Sequence, residues 1–223
     1  MRKLNLKNIQ SLTKNKEQFL AYAKKIEDKF NGPSAYFYQK VINELRNTKQ
    51  YSELFNDVQF IEYLYATLTA WGMHRMGPNT KMAEFDEFKE SIIKNKQKFV
   101  QLSQMKIRTI NLEHSKNDIL TIFNSLKIMK RDEAPKLVAN SKIMHFLLPD
   151  LIPPMDREYT LSFFYNNKNL PKIGQDEIFL KILLKFQEIA NKLNLNEKDL
   201  KNPWDTSIPK IIDNAIIGFN ISH

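Results

Sequence analysis

Apolar residues recur at three- and four-residue intervals along most of the chain, and no stretch sustains the strict alternation of a half-buried strand. Phe19, Ala23, Ile26 and Phe30 form one such stripe, which Asn31-Gly32-Pro33 stops. Ser34 is placed to cap a second helix that runs to about Arg46. Asp57 is placed to cap a third, carrying Phe60/Ile61, Leu64/Tyr65, Leu68 and Trp71 as far as Gly72. The loop His74-Arg75-Met76-Gly77-Pro78-Asn79 leads into a helix from about Lys81 to Asn95. Further helices are predicted at 97–104, 116–130, 140–148, 156–166, 175–193 and 209–219. Pro209 suits the first turn of the last one, with Ser207 or Thr206 as its cap. Trp204, just upstream, reads more readily as a packing anchor than as a base-stacking platform. The pattern predicts an all-α fold, a compact orthogonal array of about 8–10 helices. It forms either a single unit over 1–223 or two packed lobes, 1–110 and 111–223.

Composition narrows this picture. With 223 residues, 42% of them hydrophobic and 15 of them Phe, the chain can bury a sizeable core. The absence of cysteine excludes disulfides and thiolate metal sites. Four histidines, His74, His114, His145 and His223, are scattered without metal-ligand spacing, so no metal is expected. There is no phosphate-cradling glycine loop, zinc-protease helix or nucleophile elbow, and no cofactor is implied. The first residues, MRKLNLKNIQ, lack the apolar run of a signal peptide, and no stretch approaches the roughly 20 apolar residues that span a bilayer. A soluble, cytoplasmic protein without membrane contact is expected.

The net charge of +9 is unevenly placed. Residues 1–50 hold eleven Lys/Arg against four Asp/Glu, and residues 101–150 hold eight against five, whereas 51–100 and 151–223 are close to balance. Localised basic excess fits a polyanion partner, nucleic acid foremost. Lys94, Lys96 and Lys98, with Lys106 and Arg108, could form a phosphate track or simply a solvated face.

Residues 140–156, NSKIMHFLLPDLIPPMD, carry the most chemistry. Lys142 opens an apolar helical run with His145 and Phe146 near its face, and Pro149 ends it because proline lacks an amide hydrogen. Pro153 and Pro154 hold the chain extended up to Asp156, which is placed to cap the helix bearing Tyr159. A helix rises about 10 Å from 142 to 149, and a seven-residue connector reaches about 23 Å. The chain can therefore run back along the helix and set Asp156 beside Lys142. A buried lysine facing an aspartate suits amine catalysis, although a snorkelling lysine and a simple capping aspartate fit the same letters. In the segment AWGMHRMGP, Trp71 and His74 suit a pocket wall and Arg75 a phosphate contact, beside the plainer reading of a helix end with a core tryptophan.

The stretch LVANSKIMHFLLPDLIPPMDR, residues 137–157, resembles the helix-hairpin-helix DNA glycosylases around their catalytic lysine and aspartate. The resemblance implies a hairpin turn at Leu137–Ser141, Lys142 as amine nucleophile and Asp156 as the essential carboxylate. It also implies duplex DNA as partner, contacted by Asn140, Ser141, Arg75, Lys136 and Arg157. The base pocket would be lined by Trp71, His74, His145 and Tyr159. The chain departs from that family in having no glycine between Gly77 and Gly174 and a shorter lysine-to-aspartate spacing. The rival reading is a non-catalytic helical module that binds DNA, RNA or protein.

Overall fold

The computed structural model describes residues 3–26, 31–75, 81–169, 171 and 173–223, with the Arg75 side chain outside the described set. Several helices begin where a short polar side chain can take up their first amides. Asn5 accepts from Asn8 N at the start of α1 (Leu6–Leu12), and Asn15 from Gln18 N at the start of α2 (Lys16–Lys24). Helix α3 (Gly32–Asn47) starts earlier than expected: Asn31 occupies the cap position, Pro33 sits in the first turn, and Ser34 Oγ donates back to Asn31 O at 3.0 Å. Asp57 caps α4 (Val58–Ala70) as expected, accepting from Gln59 N at 2.9 Å and Phe60 N at 3.3 Å. The helices α5 (Phe85–Lys94) and α6 (Lys96–Leu102) break at Asn95.

Helix α7 (Leu112–Ser125) ends five residues short of the predicted boundary at 130. The competing interaction is a small antiparallel bridge, in which Ala83 N donates to Ile128 O and Lys130 N to Lys81 O. Those pairings draw residues 128–130 out of the helical ladder. The chain then turns through 131–135, and α8 (Lys136–Leu147) begins four residues before the predicted start. Gln175 anchors that start by accepting from Leu137 N at 2.9 Å. The hairpin turn expected at Leu137–Ser141 is therefore corrected: those residues are the first turns of α8, and the turn precedes them.

Ten of the twelve residues of α8 are buried, which makes it the central helix, packed by α3, α4, α7 and α10 (Gln175–Lys192). After Pro149 and the proline connector comes a five-residue π turn, Arg157–Leu161, closed by Leu161 N donating to Asp156 O. It continues into α9 (Ser162–Tyr165). The last helix, α11 (Ile208–Ser222), starts as expected with Ser207 accepting from Lys210 N at 3.2 Å and Pro209 in its first turn. The described residues form an all-helical fold of eleven α-helices, and none is long and apolar enough to cross a membrane.

Helices α2 and α11 meet more closely than any side chain allows. A Cβ added to Gly218 would lie 2.0 Å from Tyr22 O, a backbone atom that no rotamer change can move. Gly218→Ala is expected to cost about 3 kcal/mol, the upper end for an overpacked contact. A lowered urea midpoint at unchanged slope would register it.

Candidate functional site

The connector does run back along α8, and two buried side chains pin it there. His145 Nδ1 lies 2.7 Å from Ile152 O, and Ser141 Oγ accepts from Met155 N at 3.1 Å. The pins fall one turn apart on α8 and three residues apart on the connector, so the next residue, Asp156, arrives at the Lys142 end. Its carboxylate is engaged at once: Oδ1 accepts from Tyr159 N at 2.6 Å and Thr160 N at 3.1 Å, while Asp156 N donates to Thr160 Oγ1. One carboxylate oxygen thus holds the π turn, and the other is left without a hydrogen bond among the described residues.

Lys142 does not close an ion pair with Asp156. Its Nζ donates to Trp71 O at 3.2 Å, at the carbonyl end of α4, and lies 3.9 Å from Met73 Sδ and 5.5 Å from the centre of the Trp71 ring. Trp71 is in turn held by α3, donating from Nε1 to Ser34 O, and stands edge-on to Phe146 at 4.9 Å. Desolvation pushes the Lys142 ammonium below its ordinary pKa, and the Lys210 charge adds to this, while the Asp156 and Asp213 carboxylates pull it back up. The neutral amine is consequently easier to reach here than on a surface lysine.

Lys210 and Asp213 are members of this cluster that the periodicity hid. They sit inside the apolar run of α11, where the i, i+3 spacing places them together at 2.6 Å with side chains 2% and 6% exposed. Lys210 Nζ also reaches Asn214 Oδ1 at 2.5 Å, and Asn214 Nδ2 donates to Asp205 Oδ1 and Trp204 O. Burial raises the Asp213 pKa, Lys210 opposes that, and the Asp156 charge reinforces it. The Lys142 ammonium and the Asp213 carboxyl thus each feel the charges of Asp156 and Lys210. A Lys-x-x-Asp-Asn pattern in an otherwise apolar helix was the available signal.

Beside the cluster runs a buried relay. A backbone carbonyl only accepts, so His145 Nδ1 carries the hydrogen toward Ile152 O, and Nε2 accepts from Tyr38 OH at 2.8 Å. Tyr38 then accepts from the Thr206 hydroxyl at 2.6 Å. Burial keeps the ring neutral, with its pKa pushed down to about 3.

The remaining expected contacts are dispersed. Asn140 and Ser141 are 1% and 0% exposed, so neither faces a phosphate: Asn140 Nδ2 donates to Phe123 O at 2.7 Å, and Ser141 holds the connector. Likewise His145 is fully enclosed within the relay and lines no cavity wall. Lys136 Nζ donates to Asn124 O, and the exposed Arg157 donates from Nε to Lys168 O. His74 is exposed, with Nδ1 at 2.8 Å from Thr69 O, and Tyr159 is half-buried next to the Asp156 cap. The Arg75 side chain lies outside the described residues. Of the proposed phosphate track, Lys98 pairs with Asp118, Lys106 with Glu197, and Arg108 binds Asn191, Asn194 and Leu195 O. Among the described residues no group of His, Cys, Asp and Glu could hold a metal ion. Comparison with protein-family models, curated proteins and solved structures returns no match for this chain.

Proposed function

We propose that Lys142 and Asp156 form the reaction pair of an enzyme that cleaves the base–sugar bond of damaged duplex DNA. The supporting observation is the desolvated Lys142 amine, close enough to Asp156 to feel its charge but not locked to it. The order of parts also fits the resemblance: a helix, a turn, a lysine-bearing helix, a connector and an aspartate at the next helix start. Lys142, having released a proton to solvent, attacks the sugar C1′, and the base leaves with the bonding electron pair and takes up a proton. Opening of the sugar ring, with loss of a proton from Nζ, yields an iminium. The free oxygen of Asp156 stabilises positive charge as it develops on the sugar carbon.

Borohydride, which reduces the iminium to a stable amine, tests this directly on duplexes carrying abasic or damaged sites. Wild-type chain is expected to be trapped, Lys142→Ala to give no adduct, and Asp156→Asn to slow trapping at least 10²-fold. Adduct formation that survives Lys142→Ala sinks the amine mechanism.

The double use of Asp156 Oδ1 as a cap favours a second reading, a helical nucleic-acid-binding module without chemistry. On that reading no base is released from any duplex, and Asp156→Ala lowers stability by about 1 kcal/mol without changing salt-sensitive DNA binding.

A further inference from the structure

Along α3, and lined also by Asp205 of the Asn214 network and Thr206 of the relay, lies a cavity of about 680 Å³ that shares Asp150, Glu197 and Leu200 with a second of about 570 Å³. Gln39, Asn43 and Arg46 follow one another along α3 and form one wall of the first, and Asp150 stands where the two meet. These side chains are underused. Among the described residues, the amides of Gln39 and Asn43 and the carboxylate of Asp150 have no hydrogen-bond or ion-pair partner, and Arg46 gives only one nitrogen to Thr206 O. Desolvation raises the Asp150 carboxyl pKa, and Arg46 is near enough to pull it partly back, yet the two are not paired. A guanidinium and a carboxylate held apart across one cavity leave room for a molecule that offers acceptors to one and donors to the other.

Guanine has that layout. Its O6 and N7 face a guanidinium bidentately, and its N1–H and N2–H₂ present two donors to a carboxylate. Ile42, Leu200 and Pro203 supply apolar surface for the ring faces. In the adjoining cavity stand Lys106 and Lys198, cations within reach of a phosphate. Among the described residues Lys106 is tied only to Glu197, in a surface pair 61% and 83% exposed, which exchanges partners at little cost.

We propose that this groove binds a guanine mononucleotide, the base between Arg46 and Asp150 and the phosphate on the Lys106 side. Neither Lys142 nor Asp156 lines the groove, and the proposal does not depend on their chemistry. Isothermal titration of the full chain with GMP, IMP, AMP and guanosine tests it. IMP lacks the N2 amine and should bind at least tenfold more weakly than GMP, because one Asp150 oxygen is then left unpaired. AMP, which places donors opposite Arg46, should give no measurable binding. Asp150→Asn should weaken GMP at least tenfold and close the GMP/IMP gap. Lys106→Ala should weaken GMP but not guanosine, and circular dichroism confirms that both variants fold. Equal affinity for GMP and AMP, GMP binding unchanged by Asp150→Asn, or no GMP binding at millimolar concentration overturns the proposal.

Discussion

Lys210→Met should destabilise the protein by about 3–5 kcal/mol, the cost of leaving one half of a buried ion pair behind. Asp213 is 4% exposed, and no water can replace the ammonium that its Oδ2 accepts from. The double variant Lys210→Met/Asp213→Leu should recover most of that loss, since apolar groups of similar size remove both desolvation penalties at once. Denaturant midpoints of the two single variants and the double form a cycle that isolates the pair. The same substitutions act on Lys142 with opposite signs. Lys210 lowers the Lys142 pKa and Asp213 raises it. Lys210→Met is therefore expected to move the pH dependence of borohydride trapping upward, and Asp213→Asn to move it downward. If both variants shift the profile in the same direction, Lys142 does not sit in the field of this pair.

That cluster also marks where one-dimensional reading stops. Features set by a few neighbouring residues were legible: Asp57 and Ser207 cap the helices they precede, and Pro209 sits in a first turn. The all-helical character follows from the same local spacing. Features set by distant partners were not. Nothing near Ser125 announces that residues 128–130 pair with 81–83, so local spacing alone predicts an α7 that is too long and an α8 that starts too late. The hairpin that the resemblance implies falls inside α8, and the phosphate contacts it assigns to Asn140 and Ser141 fall on residues that face the core. Sterics allow the connector to fold back on α8, but the pins that make it do so, Ser141 and His145, look in the sequence like contacts for a partner. Lys210 and Asp213 stay hidden in the sequence because a charged pair one helical turn apart looks like an ordinary surface contact until burial is known.

His145 gives the second large effect, a loss of stability in mild acid. The ordinary histidine pKa is 6.5, and the folded ring is pushed down to about 3 by burial. A base whose folded pKa lies below its unfolded value binds protons preferentially in the unfolded chain, so stability falls as pH drops through the window from 6.5 to about 3. Within that window the slope approaches about 1.4 kcal/mol per pH unit for one proton. Two units therefore remove a large share of the roughly 5–15 kcal/mol available to a typical domain. Asp213, Asp205 and Asp150 act in the opposite sense, because their carboxyl pKa values are raised in the folded state and their protonation favours it as pH falls. Comparison with His145→Gln separates the two contributions. The substituted amide can still accept from Tyr38 but does not titrate, so the variant starts less stable at pH 7.5 and then loses less on acidification. The difference in slope between pH 6 and pH 4 should be close to one proton. Parallel stability–pH curves for the two proteins would mean that His145 does not stay neutral in the fold. The relay is where such a charge arrives first, since an imidazolium at His145 turns Nε2 from acceptor to donor and obliges the Tyr38 hydroxyl to reverse and donate to Thr206. The pin on Ile152 keeps its hydrogen in either state, so what acid adds at His145 is a buried charge, and the stability lost is the cost of desolvating it.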